Sequence, residues 1–274
     1  MKFKTILLLF NIILIFAFLS ILLLPLIIIG KDFFLLFISK NWYVLVLFLM
    51  VILGINVYFM IKWKLFNLLE SENWHELIDY LENEIYKKNL IHNDSIRILL
   101  NAYLVTSKLD SIKKLEKYLS DKKPNLVFKH SLAFSVPYLL KSEPEESEKF
   151  FGKLLSYSGL KEKDWMRWNY AFSLMQRKQF EAARAELLEI YEHSKKYLPY
   201  LLALYFLNSY AKHDSEIRKK VDFGRKKLTE EPNLKRLKRE ISSSSDNMEA
   251  LILTQIIEEA YSWLNEKEFS SPSK

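Results

Sequence analysis

Cysteine is absent from this sequence and glycine is scarce, with five in 274 residues. Without cysteine there is no thiolate metal site. The absence suits a reducing compartment, and a cysteine-free periplasmic domain would look the same. So few glycines exclude phosphate-cradling loops. Gly30 and Gly54 lie in or beside apolar stretches, Gly152, Gly159 and Gly224 stand alone, and neither GxGxxG nor a P-loop can be assembled. The five histidines, His75, His92, His130, His193 and His213, share no metal-ligand spacing, and HExxH is missing. Asp222-Phe223-Gly224 copies a protein kinase tripeptide, but the glycine-rich loop, the HRD sequence and the strands that would give it meaning are lacking. Paired acids such as Glu145-Glu146 and Glu258-Glu259 fall where helix first turns or exposed faces would put them. They do not suggest a buried pair for proton transfer. The expectation is a chain without catalytic residues, cofactor or metal.

What the sequence does have is long apolar runs. Residues 5–29 carry no charge after Lys4, and residues 42–62 are uncharged as far as Ile61. Each is long enough to cross roughly 30 Å of hydrocarbon as a helix. The first run is too long for a signal-peptide core, and no small-x-small cleavage pattern follows it, so it reads as an uncleaved anchor. Trp42 and Trp63 bracket the second run with a spacing that suits interfacial anchoring. Lys2 and Lys4 precede the first run, and Lys62 and Lys64 follow the second. The stretch between them, with Lys31 and Lys40, reads as a short outer loop, which places both termini in the cytoplasm of a bacterial inner membrane. The net charge of +7 has the same origin. Residues 1–66 hold six lysines and one aspartate, whereas the remainder balances 34 basic against 32 acidic residues. The imbalance is a topology signal, and nucleic acid is not an expected partner.

From residue 70 onward apolar residues recur at three and four, the helical period. Trp74, Leu77, Ile78, Leu81 and Ile85 share one face, with Ser71 or Asn73 as cap. Ile96, Leu99, Leu100, Tyr103 and Leu104 form the next stripe, then Ile112, Leu115, Tyr118 and Leu119, which Pro124 ends. Pro144 suits a first helical turn. The helices come in pairs whose first members begin near residues 93, 125, 163 and 197, a period close to 34 residues. One such pair cannot bury both its faces, so stacking is required. After a charged, serine-rich break, a final helix carries Leu251, Ile252, Gln255, Ile256, Ala260 and Trp263, with Ser245 or Asp246 as cap, and would close the stack.

The segment WNYAFSLMQRKQFEAARAELLEIY, residues 168–191, resembles a tetratricopeptide repeat. Ala183 falls at the small position of the repeat's second helix and Ala171 at that of the first, where the two helices cross closely. Phe180 falls at the aromatic position before the second helix, and Leu174 and Leu187 at large apolar positions. Ala102 and Ala133 sit at similar places in earlier first helices. Trp168 is one residue off the signature tryptophan, and Phe150 stands where the preceding unit should have its second small residue. The resemblance implies an all-α solenoid over roughly residues 67–231 that binds protein on its concave face, with Asn101, Arg167 and Asn169 near that face.

One charge feature stands out. Residues 215–240 hold ten Lys or Arg against five acids, and Arg218, Lys219 and Lys220 recur seven residues later as Arg225, Lys226 and Lys227. Seven residues nearly complete two helical turns, so these six form a basic stripe. The stripe is a solvated face or a candidate contact for a protein partner or anionic lipid headgroups. The whole chain reads as a membrane anchor (1–66), a helical repeat domain (67–231), a linker with a capping helix (232–268) and a disordered tail (269–274). The expected role is a membrane-anchored scaffold for protein–protein interaction. The alternative is an accessory subunit of a membrane complex that acts through its spans, whose main polar groups are Asn11 and Asn56.

Overall fold

The computed structural model describes residues 3–141, 143–244 and 253–266, and every regular element among them is helical. Ser245, Asp246, Leu251, Ile252 and the tail at 269–274 lie outside the described residues. The chain divides into two compact units, Met1–Ser95 and Ile96–Lys274.

The first unit opens with α1 (Phe3–Ile28) and α2 (Lys31–Ile61). Both contain segments long and apolar enough to cross a membrane, Lys4–Ile28 and Phe34–Ile61. The outer loop expected between them is not a loop. The chain reverses in two residues, Ile29 and Gly30, and the φ of 110° at Gly30 is a conformation that side chains rarely adopt. Helix α2 then starts at once, with Asp32 in its first turn complementing the helix dipole. Trp42 is thus inside α2, beside a break at Asn41 (φ −119°, ψ 24°). There the Asn41 side chain turns back on its own helix and donates to the Phe37 carbonyl at 2.9 Å. Asn11 and Asn56 exchange two hydrogen bonds across the hairpin, at 2.9 and 3.2 Å. Phe18 stacks on Phe48 at 3.6 Å between centroids. Then come α3 (Trp63–Glu70) and α4 (Trp74–Glu82), the latter running into a π-helical turn at Asn83–Lys87. Asn73 is the cap of α4, accepting from the Glu76 N–H, while the Ser71 hydroxyl is spent on the Asn67 carbonyl.

The second unit contains α5 (Asn93–Val105, which begins just before the division), α6 (Leu109–Lys122), α7 (Pro124–Lys129), α8 (Ser131–Leu140) and α9 (Pro144–Leu155). It continues with α10 (Lys163–Gln176), α11 (Phe180–His193), α12 (Tyr197–Tyr210), α13 (Ser215–Thr229), α14 (Asn233–Ser244) and α15 (Thr254–Asn265). Helices α8 with α9, α10 with α11 and α12 with α13 pack as pairs, and α9 with α10 and α11 with α12 join them. Pro124 and Pro144 each occupy a first helical turn, where the missing N–H costs nothing.

The period is written into the turns. Ser107 (φ 54°) and Lys178 (φ 60°) are left-handed residues between consecutive helices, 71 positions apart, and Glu72 (φ 51°) does the same 35 positions before Ser107. In each turn the following N–H reaches the carbonyl five residues back, Asn73 to Leu68, Lys108 to Tyr103 and Gln179 to Leu174. This closure satisfies helix-end carbonyls in the manner usually left to glycine. Gly224 has a different task. A Cβ there would lie 2.7 Å from Leu204 Cδ2 and 2.9 Å from Tyr200 Oη, so α12 and α13 approach through the bare backbone.

Candidate functional site

The seam between paired helices is where the repeat resemblance is carried. Ala171 and Ala183 are fully buried, with Leu174 and Leu187 beside them. Thirty-six positions earlier, in α8 and α9, stand Ser135, Tyr138, Ser147 and Phe151. Both serines are buried. The Ser135 hydroxyl donates to the Leu132 carbonyl, and that of Ser147 crosses to the Tyr138 carbonyl at 3.0 Å. The small positions of this pair are therefore serines. Ala133 is only half-buried, and Phe150, expected at the second small position, stacks on Tyr138 instead. Ala102 is fully buried but, counted from the turn at Ser107, is level with Ser173 rather than Ala171. Phe180 does not pack as an aromatic anchor: its side chain is 54% exposed.

Of the residues expected near a concave face, Asn101 is exposed, but Asn169 is buried at 1% exposure and presents no surface. Arg167 lines a groove of about 490 Å³ at the start of α10 and the end of α11, together with Asp164, Ile190 and Lys195. The charges there largely answer one another. Arg167 faces Glu189 at 3.0 Å and Glu186 at 3.6 Å. Asp164 accepts from the Ser194 hydroxyl at 2.8 Å and the Lys195 N–H at 3.1 Å, and Lys196 is paired with Glu162. A separate row of partly exposed aromatics runs from α10 over α12 to α15. Phe172 meets Phe206 at 6.2 Å, Phe206 meets Tyr205 at 5.6 Å, and Tyr205 meets Trp263 at 5.9 Å. Buried Trp168 stacks beneath Phe172 at 5.4 Å.

The basic stripe on α13 splits. Lys220 pairs with Glu192 at 3.0 Å, and Lys227 lies over the Tyr200 ring. Arg225 caps the end of α15: its guanidinium donates to the carbonyls of Trp263 (2.7 Å), Leu264 (3.2 Å) and Glu266 and lies over the Trp263 ring. Arg218, Lys219 and Lys226 remain exposed. Pairing of this kind is invisible to a helical wheel, because the partners come from α11, α12 and α15. The stripe on α15 also differs from expectation. Leu253, Ile257, Ala260 and Leu264 are buried, Gln255 is exposed, and Ile256 and Trp263 lie at the margin. Packing against α12 and α13 selects that face.

Comparison with known proteins places these surfaces in a family. The chain is 25% identical over 162 residues to a protein of Treponema pallidum (strain Nichols), an overlap that covers 59% of this chain and 51% of that relative. The chain thus spans about half the length of the relative it matches. No solved structure matches. Residues 111–266, over half of the 274, match the family described as "Uncharacterised Treponema protein", and the chain belongs to that family.

Proposed function

We propose that this protein is a membrane-anchored helical-repeat scaffold, without catalytic activity of its own, that holds a protein partner at the cytoplasmic face of the inner membrane. The observation that carries the reading is the recurring helix pair, with its left-handed turns at Glu72, Ser107 and Lys178 and its small residues at Ser135, Ser147, Ala171 and Ala183. Pairs of this kind, read as tetratricopeptide-like, leave the concave side of their first helices open for a partner. Phe172, Phe206 and Tyr205 lie on those helices and are only half-buried. Tethering would raise the partner's effective concentration at the membrane. The alternative of an accessory subunit acting through its spans draws less support. The main polar side chains of the spans, Asn11 and Asn56, bond to each other rather than presenting themselves to another transmembrane helix.

The test is a crosslinking capture from native membranes, comparing the full chain with one ending at Ser95. Proteins held only by the full chain would support the scaffold. Identical captures from both would move the function to the first unit and overturn it.

A further inference from the structure

The cations of α13 and α14 that no other element uses are placed on outward faces. On α14 the buried side is Leu237, flanked by half-buried Leu234 and Ile241. Lys235, Lys238 and Arg239 recur at three and four on the opposite side, all exposed. The acid of that helix, Glu240, is turned away and accepts the Leu198 N–H at 2.8 Å, capping the start of α12. On the adjoining α13, Lys219, Phe223 and Lys226 share one face at the same spacing. Phe223 is 64% exposed, a large apolar ring left in the open between two lysines. Among the described residues Arg218, Lys219, Lys226, Lys235, Lys238 and Arg239 make no side-chain ion pair or hydrogen bond, whereas Lys220, Arg225 and Arg236 do. Of the nearby exposed acids, Glu216 is within reach of Lys220, Asp222 lies on α13, and Glu230 and Glu231 stand in the turn between α13 and α14, so the six free cations outnumber the remaining exposed acids by two to one.

We infer that the outward face of α13 and α14 adsorbs on an anionic lipid surface, its lysines and arginines among the headgroups and Phe223 at their level. Exposed cations beside an exposed aromatic are the pairing that an interface of charged headgroups over hydrocarbon rewards. A folded acidic protein would answer the charge but not the isolated ring. The inference rests on the reading that the chain is tethered to a membrane. In that case the surface is already within reach and no second component is required.

The absence of cysteine gives a clean probe. The full chain carrying Ser242→Cys, on the outward side of α14, is labelled with an environment-sensitive fluorophore. It is then reconstituted into nanodiscs of phosphatidylcholine, with or without about 30% phosphatidylglycerol. The expected result is a blue-shifted, brighter emission in the anionic discs only, reversed by about 0.5 M salt. The triple change Lys235→Glu, Lys238→Glu, Arg239→Glu should weaken the response by about a hundredfold or more, at roughly fivefold per cation lost. Circular dichroism of the variant checks that it is folded, and Phe223→Ser, which leaves the charge untouched, should weaken the response several-fold. An inserted chain whose emission ignores lipid charge overturns the lipid contact and leaves the scaffold reading intact. The same holds if the emission responds only to added polyglutamate, which would give the face to an acidic polypeptide. A chain that cannot be inserted into discs at all overturns the tether, and this contact with it.

Discussion

At the scale of single residues, the seam between α10 and α11 depends on what is missing from Ala171 and Ala183. Each is fully buried, so any added atoms must displace neighbours that have nowhere to go. Ala183→Leu should therefore cost about 1–3 kcal/mol by overpacking. Leu187→Ala, in the same seam, should cost about 2–5 kcal/mol through the cavity it leaves. Ser147→Ala is the informative contrast. It keeps the size but deprives the Tyr138 carbonyl of one donor, so a loss nearer 1 kcal/mol is expected. Denaturant titration of the full chain would rank the three. If Ala183→Leu were neutral, the close approach would not be what holds the pair together.

At the scale of elements, α15 is held by a side chain that the sequence alone offers to solvent. The last carbonyls of a helix have no partner within it, and here Arg225 supplies three hydrogen bonds to them from α13. Removing a charged donor from such a site costs about 1.5–3 kcal/mol. Arg225→Ala should thus speed amide exchange in Thr254–Asn265 by roughly tenfold or more while leaving α10 and α11 unchanged. Exchange in α15 at the parent's rate would mean that its apolar stripe suffices. The same residue shows where sequence reading stops. Helical period, prolines and apolar stripes announce the helices from Asn73 onward, because those signals are local, except α14, whose charged, serine-rich stretch reads as a break but is helical over Asn233–Ser244. Partnership is not local. A seven-residue repeat of Arg and Lys looks like one stripe, yet Arg225, Lys220 and Lys227 are taken by α15, α11 and α12. Likewise a search for alanine at the small positions selected Ala133 and passed over Ser135, whose hydroxyl is satisfied by its own helix and so fits where only size matters. The connecting stretch at 31–41 differs from expectation for a related reason. Its charges suggest a loop, but the reversal is complete in Ile29 and Gly30.

At the scale of the whole second unit, successive pairs are joined by ion pairs as well as by apolar contact. Lys113 of α6 reaches Glu143 and Glu146, Arg184 of α11 reaches Asp214 at 2.6 Å, and Lys141 reaches Asp110. Each is worth little alone at the surface, but all respond to pH in a definite direction. The Lys141 hydrogen bond and charge hold the Asp110 carboxyl below its usual range, Lys113 does the same for Glu146, and the Ile217 N–H leads in lowering Asp214. A carboxylate with a depressed folded pKa contributes stability above its unfolded value, near 4, and that contribution is lost as pH falls through the folded value. Lys113 runs the other way. Burial pulls its pKa down, but the hydrogen bonds and charges of Glu143 and Glu146 outweigh this and raise it. Its contribution is complete below about 10.4 and disappears as pH climbs past the folded value. Tm followed by circular dichroism should therefore be nearly level from about pH 5 to 9 and fall away on both sides. Asp214→Asn can keep the cap to α13 but cannot titrate, so it should flatten part of the acid slope and leave the alkaline one untouched. An acid slope identical to the parent's would show that Asp214 does not carry it, and a Tm that drifts steadily across the neutral range would place the controlling groups elsewhere.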